Sequence, residues 1–215
     1  IHFNRLALPS LVRPAVAKSE AQRIRVQDGD DGLELIIDET VASCDRSGGL
    51  VWAALALPVT CVNSRPSVLI LGLGGGTCAS ALRRLNPQAT IVGVELDAEV
   101  IRLAKQHFNL DKLNIEVVNQ DALHFLRKEK RQFDLIIDDV FAGYARSVKK
   151  PRWFPNPGLR LAKARLKGGG VLVSNALAEA KYLQRGLQGL FPKILQLRVA
   201  DFENKILVAG PASAL

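Results

Sequence analysis

A wholly apolar strand that runs directly into a glycine-rich loop constrains the fold of this chain more than any other feature. Residues 68–71 read Val-Leu-Ile-Leu, and residues 72–76 read Gly-Leu-Gly-Gly-Gly. Further short apolar segments follow, and amphipathic segments with helical spacing separate them. Strands that are apolar on both faces are typical of a parallel sheet covered by helices on both sides. The sequence therefore predicts an α/β fold.

The predicted elements of this α/β region alternate from residue 67 almost to the last residue. The predicted strands are 68–71, 91–94, 115–118, 133–137, 171–173, 194–199 and 206–209, of which the last two form a closing hairpin. The predicted helices are 79–85, 97–108, one capped by Asp121, 159–166 and 178–190. We expect the glycines at 168–170 to end the helix 159–166.

The first part of the chain has a different pattern. Apolar and polar residues alternate over 24–26 and 33–37 around a turn at 28–32, which predicts a β-hairpin. Residues 50–58 predict a buried helix, and residues 1–20 have no clear periodicity. We therefore divide the chain into an N-terminal arm with hairpin and helix, 1–62, and a cofactor-binding α/β domain, 63–215.

The glycine-rich loop favours an adenosyl ligand. Glycine lets the backbone turn sharply and approach a ligand closely, and the next helix points its free N–H groups at the same space. Thr77 stands where the dinucleotide fingerprint requires glycine or alanine, and no Gly-Lys-Ser/Thr of a phosphate-binding loop follows. A pyrophosphate ligand is thus disfavoured, and we assign Gly72, Gly74, Gly75 and Gly76 to cofactor binding.

Acidic residues follow the next two predicted strands. Glu95 ends the second strand, where a carboxylate can accept hydrogen bonds from both ribose hydroxyls of an adenosyl group. A solvated acid at a strand end is the alternative. Asp121 follows the third strand, where it can accept a hydrogen bond from the adenine amine, cap the next helix, or do both.

Two adjacent acids, Asp138 and Asp139, end the fourth apolar strand. Burying such a pair is costly unless each acid has a partner. We interpret Asp139 as the catalytic group, which holds the amino group of the ligand or takes a proton from an incoming amine. We interpret Asp138 as a structural residue that faces a helix terminus, and count both among the cofactor-binding residues. The histidines form no cluster, so no metal is predicted.

Charge and cysteine content bear on partner and compartment. The 29 Lys and Arg residues exceed the 21 Asp and Glu residues, which leaves a net charge of +8 and favours an anionic or macromolecular acceptor. Nucleic acid and a homodimer stay open as partners, and a membrane is disfavoured because no long apolar segment occurs. Three cysteines without a pairing motif, and no export signal in the first twenty residues, predict the cytoplasm.

A basic segment directly follows the two adjacent acids. Eight Lys and Arg residues and no acid lie from Arg146 to Lys167, with Trp153 and Phe154 among them. We expect this segment to form part of the acceptor site and its first half to be a loop that closes over it. The alternative is a solvated basic face whose aromatic residues pack into the core.

Together these residues resemble the S-adenosylmethionine-dependent class I methyltransferases, and more narrowly their spermidine synthase-like branch. The resemblance runs from about residue 22 to 209 and rests on Gln22-x-Ile24-x-Val26, 68–76, Val94-Glu95-Leu96-Asp97, Asp121-Ala122, 133–139, 170–172 and 203–207. It implies a Rossmann-like, mostly parallel sheet of seven strands with helices on both faces and an antiparallel last strand. It also implies S-adenosylmethionine as cofactor. The residues assigned to its site by these motifs are Gln22, Glu95, Leu96, Asp121, Ala122 and Asp139.

Departures from the branch's pattern bear on the type of reaction. Its aminopropyltransferases carry an acid at the position of Gly75, a second acid at the position of Ala142, and a tyrosine in the segment matching 50–58, which has none here. A polyamine needs several carboxylates, and we count only Asp139. We therefore expect methyl transfer. An aminopropyltransferase with altered amine recognition and a non-catalytic nucleotide- or nucleic-acid-binding module are the alternatives.

Overall fold

The computed structural model describes residues 17–19, 22–29, 32–45, 49–143 and 148–215. Their strands are β1 (Ala17–Ser19), β2 (Gln22–Gly29), β3 (Gly32–Ile37), β4 (Thr40–Cys44), β5 (Ser67–Leu71), β6 (Thr90–Glu95), β7 (Glu116–Asn119), β8 (Phe133–Asp138), β9 (Leu166–Ala176), β10 (Lys193–Arg198) and β11 (Lys205–Gly210). The helices are α1 (Leu50–Ala56), α2 (Thr77–Leu85), α3 (Ala98–His107), α4 (Ala122–Lys128), α5 (Gly158–Ala164) and α6 (Ala180–Gln188), with 3₁₀ turns at Leu57–Cys61 and Leu110–Leu113. No helix among these residues is long and apolar enough to cross a membrane.

The larger sheet has seven strands in the order β10-β11-β9-β8-β5-β6-β7. Neighbours from β9 to β7 are parallel, whereas β11 runs antiparallel to both β9 and β10. The strand order therefore reverses between β5 and β8, which is where such sheets bind ligands. This confirms the predicted Rossmann-like fold with an antiparallel last strand.

Each face of this sheet is covered by its own apolar core, and β5 shows how the sequence produces both. Val68 and Ile70 point into one core, while Leu69 and Leu71 point into the other, and none of the four is exposed. Helices α1 and α2 complete the first core, and α4, α5 and α6 complete the second. A strand buried on both faces must be apolar at every position, as predicted.

A smaller antiparallel sheet, β1-β2-β3-β4, precedes the larger one. Its β2–β3 hairpin, with Gly29 opposite Gly32, confirms the hairpin predicted from the alternating pattern. Ile24 of β2 and Leu35 of β3 pack with Val100 of α3. The division of the chain at residue 63 stays a prediction, and residues 1–16 of the expected arm lie outside the described part of the chain.

We expected the glycines at 168–170 to end a helix, and this was wrong. They lie inside β9. Helix α5 ends at Ala164, and Leu166 already pairs with Phe133 of β8 in the parallel register. The register then moves to Leu135 opposite Val171, so residues 167–169 bulge out into solvent. Leu166 is buried in the core and already pairs with β8, so the chain has joined the sheet before it reaches the glycines.

Candidate active site

The carboxyl ends of the central strands form the floor of a cavity of about 1310 Å³. The smaller sheet forms a wall of it through β3, β4 and their connection. Seven of the predicted site residues line this cavity: Gly72, Gly74, Glu95, Leu96, Asp121, Ala122 and Asp139. Gly75, Gly76 and Asp138 are not among the lining residues. Gln22 begins β2, but its side chain lies outside the described part of the structure.

The glycine-rich loop joins the ends of three strands. The amide of Gly72 donates to the carbonyl of Val94 at 3.0 Å, and a Cβ at Gly72 would lie 2.7 Å from the carbonyl oxygen of Asp139. Its φ of +81° also lies in the left-handed region. Glycine at position 72 therefore lets β5 approach the first residue after β8 closely.

Gly75 and Gly76 lie on the side of this loop that faces away from the cavity, where they pack against neighbouring residues. The Gly75 amide donates to Oγ of Ser43 at 2.7 Å, and a Cβ at Gly75 would lie 2.7 Å from the Ser43 Cβ. A Cβ at Gly76 would lie 2.7 Å from Cδ1 of Leu110. An acidic side chain at position 75 therefore has no room in this packing.

The carboxylate of Glu95 is fixed by two backbone amides. Gly74 donates to Oε2 at 2.9 Å, and Asp97 donates to Oε1 at 3.1 Å. Burial raises the pKa of Glu95, while these backbone donors act in the opposite direction. A carboxylate can accept about four hydrogen bonds in all, so the group, oriented by these amides, keeps capacity to accept from a ligand hydroxyl.

Asp121 caps helix α4, as predicted. Its Oδ1 accepts from the amide of His124 at 2.8 Å, and the side chain is exposed to the cavity. The second oxygen is left for a ligand donor, although the adenine contact itself stays a prediction. Leu96, which is 68% exposed, offers an apolar surface to the same cavity.

Both carboxylate oxygens of Asp139 are held by neutral donors. Nδ2 of Asn175 donates to Oδ1 at 2.8 Å, and Nε1 of Trp52 donates to Oδ2 at 3.1 Å. Asn204, between β10 and β11, in turn donates to Oδ1 of Asn175 at 2.9 Å. Burial raises the pKa of Asp139 to about 6, although the Asn175 bond and the charge of Lys150 oppose this.

Asp138 has a different partner from the one we expected. It is completely buried and faces the ammonium group of Lys150 rather than a helix terminus, with Oδ2 and Nζ 2.8 Å apart. The interpretation of Asp138 as structural fits this pairing. Its place among the cofactor-binding residues does not, because it does not line the cavity.

The described residues of the basic segment, 146–167, have different environments in the structure. Pro151 and Trp153 line the cavity, whereas Phe154 belongs to the core. Lys149 is exposed and Lys150 is buried, so the two adjacent lysines are not equivalent. Arg146 lies outside the described residues.

The charge of the cavity is opposite to the net charge of the chain. Among the described residues that line it, none is Lys, Arg or His. The acidic lining residues are Glu34, Asp38, Glu95, Asp97, Asp121 and Asp139. The expectation that Asp139 is the one carboxylate available to an amine was therefore wrong, because the smaller sheet contributes two more acids. An anionic acceptor finds no counter-charge on these described walls.

Trp52 and Asn175 are site residues that sequence reasoning missed. Asn175 lies near the end of β9, so the rule that ligands bind beyond strand ends could have found it. Trp52 carries the one polar group in an otherwise apolar helix, and an indole N–H usually needs a partner when buried. Nothing in the sequence indicates that this partner is Asp139.

Comparison with known proteins gives the family. Residues 55–189 match the family described as Spermine/spermidine synthase domain. The chain is 25% identical over 175 residues to Polyamine aminopropyltransferase 1 of Hyperthermus butylicus, covering 77% of this chain and 56% of that protein. It is 42% identical over 152 residues to the eEF1A lysine and N-terminal methyltransferase homolog of Drosophila melanogaster, covering 65% of this chain and 22% of that protein. The chain thus spans about half or less of the length of these relatives.

Solved structures share the fold at lower identity. Spermidine synthase from Thermotoga maritima has a TM-score of 0.74 and 19% identity, over 93% of this chain and 71% of that chain. Human methyltransferase-like protein 13 in complex with SAH has a TM-score of 0.64 and 21% identity, over 79% of this chain and 83% of that chain.

Proposed function

The chain belongs to the spermine/spermidine synthase domain family, and we propose that it transfers the methyl group of S-adenosylmethionine to an amino group of a macromolecular acceptor. The observation that carries this proposal is the placement of Asp139. Trp52 and Asn175 orient its carboxylate at the cavity. Every charged residue among the described residues that line this cavity is acidic.

The lining residues fit S-adenosylmethionine. Glu95 is oriented for the two ribose hydroxyls, Leu96 offers an apolar surface to a planar ring, and Asp121 has an oxygen left for an exocyclic amine. The cofactor supplies a methyl group on a positively charged sulfur, and carboxylates attract such a cation. The solved structure of human methyltransferase-like protein 13 holds the demethylated form of this cofactor, SAH, which supports the same assignment.

Asp139 is suited to remove a proton from the acceptor. A protonated amine has no lone pair for attack on a methyl group, so a general base must accept its proton first. With a pKa of about 6, Asp139 is mostly ionised at pH 7 and still basic enough to take part. The Trp52 and Asn175 hydrogen bonds hold both oxygens, which fixes the direction from which the proton arrives.

Three observations favour methyl transfer over aminopropyl transfer. The 42% identity to the Drosophila methyltransferase homolog exceeds the identity to aminopropyltransferases such as those of Hyperthermus butylicus, at 25%, and Vibrio vulnificus, at 33%. Gly75 packs against Ser43 and leaves no room for the acid of the aminopropyltransferase pattern. Ala142 lines the cavity where the second acid of that pattern would stand.

Aminopropyl transfer is the second candidate, because Glu34 and Asp38 place additional carboxylates on the cavity wall. A polyamine could pair its ammonium groups with these acids. Both reactions use a positively charged sulfonium cofactor and an amine acceptor. The acidic lining of the cavity therefore does not distinguish methyl transfer from aminopropyl transfer.

Two measurements test the proposal. Calorimetry compares binding of S-adenosylhomocysteine with that of 5′-methylthioadenosine, the product of aminopropyl transfer, and we expect the former to bind more tightly. Mass spectrometry then follows methyl transfer from S-adenosylmethionine to peptides with free amino groups, beside aminopropyl transfer from decarboxylated S-adenosylmethionine to putrescine. Spermidine formed at turnover near 1 per second, the lower end of ordinary enzymatic rates, would replace the first candidate by the second.

A further inference from the structure

A buried lysine, Lys150, contacts the residues on either side of Asp139. The side chain of Lys150 is 2% exposed, and its ammonium group lies 2.8 Å from Oδ2 of Asp138, which is not exposed at all. The same ammonium donates to the carbonyl oxygen of Val140 at 3.0 Å and to that of Asp138 at 3.4 Å. Three of its contacts thus fall on the residues that flank Asp139.

Aromatic rings enclose the rest of this ammonium group. It lies 4.3 Å from the ring centroid of Phe141 and 5.4 Å from that of Phe154. Phe141 lines the cavity, and Phe154 belongs to the core beneath it. A lysine is almost never buried unless it is paired, and here a carboxylate, two carbonyls and two rings share the charge.

We propose that Lys150 is a positioning residue of this site, whose buried ammonium group anchors segment 138–141 and is the cation that Asp138 and Asp139 share. This inference rests on the proposed function only in taking Asp139 as the base. Lys150 itself does not line the cavity, so it acts through Asp139 and Phe141 rather than on a ligand.

The charged and titratable neighbours of Asp139 show why a cation is needed there. Asp138 lies next to it and raises its pKa, whereas Lys150 lowers it. Helix α2 contributes Cys78, whose own pKa is raised well above its usual value by burial, so the thiol is neutral. Helix α1 and strand β9 contribute the uncharged Trp52 and Asn175. Among these described neighbours, Lys150 alone carries a positive charge.

The test reads the ionisation of Asp139 without using any acceptor. The chain has two tryptophans, so Trp153→Phe leaves Trp52 as the sole indole, bonded to Asp139. The fluorescence of Trp52 is titrated against pH in this background, with Lys150→Gln to remove the charge and Lys150→Arg to keep it. We expect a midpoint near 6 in the background, a midpoint higher by about one pH unit in the Gln variant, and a return toward 6 in the Arg variant.

Hydrogen exchange tests the anchoring. Deuterium uptake over 139–143 should rise in Lys150→Gln while that of β5 stays the same, because a lost anchor loosens the segment locally. An unchanged midpoint in the Gln variant would overturn the electrostatic part, and unchanged uptake would overturn the anchoring.

A second variant covers the case in which Lys150→Gln does not fold. Asp138→Asn/Lys150→Gln leaves no unpaired buried charge and is expected to fold, since neutral replacement of a buried ion pair is often tolerated. Its midpoint should lie below that of Lys150→Gln, because the like charge of Asp138 is removed together with Lys150, and deuterium uptake over 139–143 should still rise, because the ammonium contacts to Asp138 and Val140 are lost. Unchanged uptake in this variant would overturn the proposal. Failure of methyl transfer with these shifts intact would count against the proposed function alone.

Discussion

The indole of Trp52 donates from Nε1 to Oδ2 of Asp139 at 3.1 Å, across 87 residues of sequence. Trp52 lies on α1, before the first strand of the larger sheet, and Asp139 follows its fourth strand. The orientation of the candidate base therefore depends on a helix that precedes the whole parallel sheet. A truncation that removes α1 would leave one oxygen of Asp139 without its donor.

Replacing Trp52 by Phe should make Asp139 harder to ionise. The ring stays, but the N–H that stabilises the carboxylate is lost, and a hydrogen bond to a charged group contributes about 1.5–3 kcal/mol. We expect the pH at which transfer is half-maximal to rise by about one unit. A pH–rate profile checks this, and an unchanged profile would show that the bond does not stabilise the ionised form.

Replacing Asp139 by Asn should remove the base while preserving the cofactor site. Transfer is expected to fall by about 10²–10⁴-fold, the usual contribution of a general base. Affinity for S-adenosylhomocysteine should fall far less than transfer does, because Glu95, Gly74 and Asp121 are untouched. Asp111→Asn, in an exposed ion pair with Lys105, is the matched control and should retain full transfer. If the Asp139 variant kept most of its activity, another group would have to accept the proton.

The raised pKa of Asp139 also predicts how stability depends on pH. The folded carboxyl has a pKa of about 6 instead of the ordinary aspartate value of 3.8, so the folded state binds this proton more tightly than the unfolded state. The stabilisation is fully present below the unfolded pKa and is lost as pH rises through 6. Between pH 5 and 8, the free energy of unfolding of the wild type should fall by roughly 1 kcal/mol relative to Asp139→Asn. Urea unfolding at both pH values measures this difference, and a constant difference would mean that the carboxyl is not perturbed.

Replacing Glu95 by Ala should weaken binding of S-adenosylhomocysteine by about 1–3 kcal/mol, the cost of losing a charged hydrogen-bond acceptor. The matched control is Glu99→Ala, in the same part of the chain, whose carboxylate is engaged with Arg102 at the surface. Such an exposed pair contributes little, so its affinity should equal that of the wild type. Calorimetry on both variants decides whether Glu95 belongs to the site.

The order of helices and strands in the larger sheet could be predicted from the sequence because it depends on local patterns. Val68 to Leu71 are apolar at every position, and Asp97 and Asp121 stand where helix caps are expected; both caps are present in the structure. Strand-end position also brought Glu95, Asp121 and Asp139 to one cavity. These features follow from chain direction alone, since parallel strands end at the same edge.

The partners of the buried charges could not be predicted in this way. Lys150 lies in a run of basic residues and looks like a surface residue, yet its ammonium group pairs with buried Asp138. Trp52 looks like a core residue, and Glu34 and Asp38 look like solvated acids of a hairpin, yet all three line the cavity. These contacts depend on how helices and strands that are distant in sequence pack together. Residue type and spacing alone do not specify that packing.

The basic segment gives the last prediction, because its residues now separate into two groups. Trp153 lines the cavity, whereas Lys149 and Arg152 are exposed and absent from its lining. We expect Trp153→Ala to raise the KM for the acceptor and leave the affinity for S-adenosylhomocysteine unchanged. Charge reversal at Lys149 and Arg152 should leave transfer to a small amine unchanged at any salt concentration, since neither charge faces the cavity. Lys150 is excluded from this variant, because reversing a buried, paired charge would destabilise the fold. Steady-state kinetics with a peptide and with a small amine separate the outcomes. If the reversed charges slow transfer to the small amine at low salt, the exposed lysine and arginine do reach the reacting group, and the segment binds the acceptor through its charge rather than through Trp153.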